Sequence, residues 1–60
     1  MNQEFKPGAL IADKSMPELT GVIIRIVEGD PNPYKILVEG KVLECDIDYI
    51  YRYCKVISHG

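Results

Sequence analysis

Tryptophan is missing from this 60-residue chain, histidine occurs once, and cysteine occurs only twice, as Cys45 and Cys54. With a single His and no Cys-x-x-Cys pair, the ligand count and spacing of a structural zinc site are lacking. Nucleophilic catalysis needs a base within reach of the nucleophile. The one imidazole, His59, stands beside the C-terminus, and so short a chain leaves little room for a substrate pocket. No enzyme activity and no cofactor are therefore expected.

Basic charge is also scarce. Lys6, Lys14, Arg25, Lys35, Lys41, Arg52 and Lys55 are scattered along the chain and outnumbered by nine acidic residues, for a net charge of −2. Nucleic-acid binders usually carry a basic patch or stripe, so the charge balance argues against that partner. No apolar run approaches the roughly 20 residues that cross a bilayer. The opening MNQEFKPG lacks the apolar core of a secretory signal. The expectation is a cytoplasmic chain with free thiols and no membrane association.

What the chain does have is short runs rich in Ile, Val and Leu, with 47% hydrophobic residues overall. A chain this small buries only about 60% of its unfolded surface, so that apolar content exceeds what a core alone absorbs. Residues 1–7 read as a lead-in, with Phe5 placed to tuck onto the core, and 59–60 as a tail. Between them, 8–58 form one domain. GALIAD (8–13), TGVIIRIVE (20–28), YKILVE (34–39), VLECDI (42–47) and RYCKVIS (52–58) read as strands, from their β-branched content and bounding turns. GDPNP (29–33) reads as a turn, and Glu39-Gly40-Lys41 suits a tight hairpin. DYIY (48–51) reads as one helical or 3₁₀ turn with Asp48 as its N-cap. Five strands with closely spaced turns predict an all-β fold, a sandwich or a small barrel.

Alternation assigns the faces. Val22, Ile24 and Ile26 are expected inside, with Ile23, Arg25 and Val27 outside. Tyr34, Ile36 and Val38 are expected inside, with Lys35, Leu37 and Glu39 outside. Leu43, Cys45 and Ile47, then Cys54 and Val56, complete the core with Leu10 and Ile50.

This order of elements resembles the SH3-like barrels, in which a long bent second strand forms a meander with the third and fourth. A single 3₁₀ turn then leads into the fifth. More narrowly, PGALIADK followed by TGVIIRIV is similar to the opening of small SH3-like proteins encoded by tailed bacteriophages. KOW-type modules begin similarly. The resemblance implies a five-stranded barrel and a non-enzymatic interaction module, of the kind that binds and modulates or inhibits a host protein such as a defence protein. A KOW-like nucleic-acid module is the alternative. The chain departs from signalling SH3 domains in its short connection Lys14–Leu19 and in lacking Trp, which weakens any reading as a polyproline binder.

Several groups of residues are candidates for contact. Ile23, Arg25, Val27, Leu37 and Val42 would share the outer face of the central hairpin, and contiguous exposed apolar surface marks interaction sites. The other reading of these residues is a strand coiled enough to bury both faces. A protein partner, or a homodimer through the 20–39 hairpin, follows from the first reading. Tyr49 and Tyr51 on their turn suit an interface. Glu44, Asp46 and Asp48 read as a solvated acidic ladder rather than a metal site. Cys45 and Cys54 read as small buried hydrophobes. The 29–33 loop reads as a stiff turn or a recognition loop.

Overall fold

The computed structural model describes residues 5–58; His59 and its tail lie outside them. The elements are β1 (Leu10–Asp13), β2 (Thr20–Ile26), β3 (Tyr34–Val38), β4 (Lys41–Cys45), α1 (Ile47–Tyr53) and β5 (Cys54–Ser58). The strands form one antiparallel sheet in the order β4-β3-β2-β1-β5. Its edges, β4 and β5, are not joined by a ladder, so the sheet is open.

The mostly-β reading and the strand count hold, while the face assignment of β2 does not. Val22 and Ile23 pair with Leu37 and Ile36, but Arg25 and Ile26 pair with Lys35 and Tyr34. Ile24 is the extra residue of a β-bulge. An inserted residue breaks the two-residue period, so strict alternation fails across it. Ile23 is 0% exposed and Ile24 is 42% exposed, the reverse of the expectation. Ile26, beyond the bulge, returns to the core side. A second irregularity falls between Leu10 and Ile11 in the β1–β5 pairing. There Ile11, not Leu10, is the buried residue.

The core is built from Ala9, Ile11, Ile23, Tyr34, Ile36, Ile50 and Cys54, with Phe5, Ile26, Val38, Cys45 and Val56 packed against it. The residues just before β1 are tied to β2. Gly8 donates its N–H to the Ile23 carbonyl at 2.7 Å, and Ile23 donates to Ala9 at 3.0 Å. Gly21 lets β2 and β3 approach. A Cβ there would stand 2.7 Å from Val38 Cγ2 and 2.8 Å from Ile36 Cγ2.

The segment before the last strand is a seven-residue α-helix rather than a single turn. Asp46, not Asp48, caps it: the Tyr49 N–H donates to Asp46 Oδ1 at 3.2 Å. Asp46 stands immediately before the first helical residue, where its carboxylate reaches the third N–H of the helix. The capped helix takes Ile47 and residues 52–53 away from the expected strands, and Ile47 is exposed, not buried. Ile50 is the residue that α1 sends into the core. In the β3–β4 hairpin, Glu39 and Gly40 are the turn residues. Both have positive φ, 52° and 79°, as in the mirror-image turns whose twist matches that of the flanking strands.

Candidate functional site

Register places one apolar row across four strands. Leu10 pairs with Val22, Val22 with Leu37, and Leu37 with Val42. Directly opposed residues share a face. These four therefore lie on the outer face, opposite the core side set by Ile23 and Ile36. Leu10 and Val22 are half-buried, whereas Leu37 is 40% exposed and Val42 55%. Ile24, pushed out by the bulge, adds to the exposed apolar surface.

A charged row runs beside it. Arg25 pairs with Lys35, and Lys35 with Glu44. Lys35 was expected to be a solvated outer residue, but it is only 5% exposed. Its Nζ donates to Asp30 Oδ2 at 3.0 Å and to the Asn32 carbonyl at 2.7 Å, with Glu44 Oε2 at 3.5 Å. Three oxygens replace the water that an ammonium group loses on burial. The result pins the 29–33 loop to β3, the strand that comes after it. Within that loop, the Asn32 N–H and then the Lys35 ammonium hold the Asp30 carboxyl below its usual pKa.

The residues expected at an interface do not form one patch. Leu37 and Val42 lie together on the outer row, and Arg25 lies in the charged row beside it. Val27 is exposed beyond the end of β2, where its N–H donates to the Pro33 carbonyl at 2.9 Å. Ile23 is removed from the set by its complete burial. Tyr51 is exposed but lies against Phe5, ring centroids 4.7 Å apart. Tyr49 packs beside Tyr53 at 5.2 Å and lines a different feature, an apolar groove of about 100 Å³.

That groove opens where the sheet fails to close. Ile11, Leu19, Ile36, Leu43 and Cys45 contribute to its walls, and Asp13 is the one charged residue among those lining it. Leu43 was expected inside. It does face the core side, opposite buried Ile36, yet it is 48% exposed at the sheet edge. Ser15 donates its hydroxyl and its N–H to Asp13 Oδ1, at 2.6 and 2.8 Å, and these bonds hold the Asp13 carboxyl below its usual pKa.

Cys45 and Cys54 are free thiols lining the same groove. Burial pushes both thiols up in pKa, so they are protonated at neutral pH and poor nucleophiles. The acidic ladder does not exist as such, because β4 ends at Cys45 and Asp46 is spent on the helix cap. Among the described residues, no cluster of three His, Cys, Asp or Glu side chains is arranged to hold a metal ion, and no helix is long and apolar enough to cross a membrane.

Alternation placed Leu37 and Val42 outside as observed, but it set Val22 inside because parity counted from Arg25 runs across the bulge, and it set Leu10, which pairs with Val22, inside as well. No protein-family model matches the chain, nor does any curated protein or solved structure.

Proposed function

We propose that this chain is a non-enzymatic SH3-like interaction module that binds a protein through the outer face of β2, β3 and β4. The observation that carries the reading is the apolar row Leu10–Val22–Leu37–Val42, which ends in two exposed aliphatic residues. A folded chain gains nothing internally from aliphatic groups left in water. Burying them against a partner contributes about 25 cal/mol per Å² of apolar area. The pinned 29–33 loop bounds this surface on one side, with Arg25 beside it.

Support for the barrel reading comes from the strand order and the bulge. A bulge bends its strand and increases its twist. That is the device a second strand needs if it is to serve both β3 on one side and β1 on the other in a curled sheet. The resemblance to small tailed-phage proteins adds the class of action: occupation of a surface on a host protein, modulating or inhibiting it. That class rests on analogy of fold alone.

Leu37→Asp is the direct test. It places a charge in the middle of the row and touches nothing in the core. Loss of at least about tenfold in partner affinity, equivalent to about 1.4 kcal/mol, is the expected result. Unchanged affinity removes the outer face from the interface.

A further inference from the structure

β4 is an edge strand whose core-facing side is uncovered. Lys41, Leu43 and Cys45 point to the core side, because they pair with Val38, Ile36 and Tyr34. Yet Lys41, Val42, Leu43 and Glu44 are all exposed. The helix that follows packs on β5. An edge strand presents unpaired backbone N–H and C=O groups, a template for another strand.

The charges on that face are complementary but apart. Asp13 is the only charged residue lining the groove, and both thiols beside it are protonated. Lys41 lies on the same face of the sheet and has no ion pair among the described residues.

We infer that a second copy of this chain pairs antiparallel along β4, about a two-fold axis at Leu43, joining two five-stranded sheets into one. A two-fold axis perpendicular to an antiparallel pair sets one residue opposite its own copy. With Val42 on the axis, Lys41 would oppose the partner's Leu43. With Glu44 on the axis, two carboxylates would stand face to face, which is destabilising. With Leu43 on the axis, the two Leu43 side chains cover each other at the mouths of the grooves. Lys41 then stands opposite the partner's Cys45, on the face where that copy's groove holds the partner's Asp13. Of the three registers, this one sets the two exposed Leu43 side chains on each other and keeps the two Glu44 carboxylates apart, with Val42 opposite the partner's Glu44. It joins the sheets through the β4 edge and leaves Leu37, one strand in from that edge, open on the outer face.

The interface is small. A standard interface takes about 800 Å² from each partner, and the described chain exposes 4060 Å² in all. One five-residue edge supplies less than that, so the dimer dissociates on dilution.

The test combines light scattering with a register-specific cross-link. From about 10 µM to 1 mM, a range suited to such weak association, the mass of the native chain should rise toward that of two chains. Leu43→Lys should stay at one. In a Cys45→Ala/Cys54→Ala background, Leu43→Cys should give a disulfide-linked dimer on treatment with diamide. Directly opposed Cα atoms are about 4.5–5.5 Å apart, within disulfide reach. Val42→Cys should not cross-link, because the two copies would be diagonal neighbours about 7–8 Å apart. A native chain that stays monomeric throughout overturns the inference. So does cross-linking at 42 as readily as at 43, or none at 43. If Leu37→Asp rather than Leu43→Lys abolishes the dimer, self-association runs through the outer face and the β4 inference fails. A native monomer whose protein partner is lost on Leu37→Asp leaves the outer-face reading standing alone.

Discussion

Gly21 is the residue on which the closeness of β2 and β3 depends. Its Cα hydrogen occupies space that a methyl group would share with Val38 Cγ2 and Ile36 Cγ2, at 2.7 and 2.8 Å, and with the Leu37 carbonyl oxygen at 3.1 Å. The two side-chain contacts are branched methyls on a packed face, so relief requires the strands to part. Gly21→Ala is expected to cost about 1–3 kcal/mol, measured as a lower urea midpoint. An unchanged midpoint would show that the strands part freely. Asp30 makes a second statement at this scale. Its folded pKa lies below the ordinary aspartate value of 3.8, so its bonds contribute stability above that pH. The contribution is lost as the pH falls through the lower folded value. Asp13 is shifted in the same direction and adds to the trend. Asp30→Asn is expected to make the fall in urea midpoint between neutral pH and pH 2 shallower than in the native chain, with the Asp13 share remaining. Identical slopes would mean that the Asn32 and Lys35 bonds to Asp30 do not survive in solution.

At the scale of elements, β2 shows where pattern reading succeeds and where it stops. Its existence was legible from TGVIIRIVE, and so were the inward Ile26 and the outward Arg25, which lie on the far side of the bulge. Ile23 and Ile24 were reversed, since alternation cannot count an extra residue whose presence is decided by pairing with β3. Stability measurements separate the two assignments. Ile23→Ala is expected to cost about 2–5 kcal/mol, and Ile24→Ala to fall within about 0.5 kcal/mol of the native chain. Equal costs would mean that β2 runs without the bulge. The segment after β4 shows a related limit. Asp48 was read as the cap, and the completed geometry shows Asp46 accepting from the Tyr49 N–H instead. Lys35 was assigned to the correct face, but its burial was not legible, because a loop five residues upstream supplies the oxygens that make it tolerable. Leu43 was assigned to the correct face. Its exposure follows from the missing neighbour of β4, a property of sheet order that no single strand carries.

On the scale of the whole molecule, the chain places apolar residues on both sides of an open sheet. The core takes Ile23, Ile36 and Ile50. The outer row presents Leu37 and Val42, and the edge presents Leu43. Sequence composition already showed more apolar residues than a 60-residue core absorbs, but where the surplus falls depends on register and sheet order. The outer row is the surface to which binding is assigned. The most direct measurement is the retention of a protein from a lysate of the source cells on immobilised native chain and on immobilised Leu37→Asp, matched for folding by circular dichroism. The expected result is a partner held by the native chain and lost on the folded Leu37→Asp chain. Retention of the same partner on both columns would contradict the assignment of binding to the Leu10–Val22–Leu37–Val42 row.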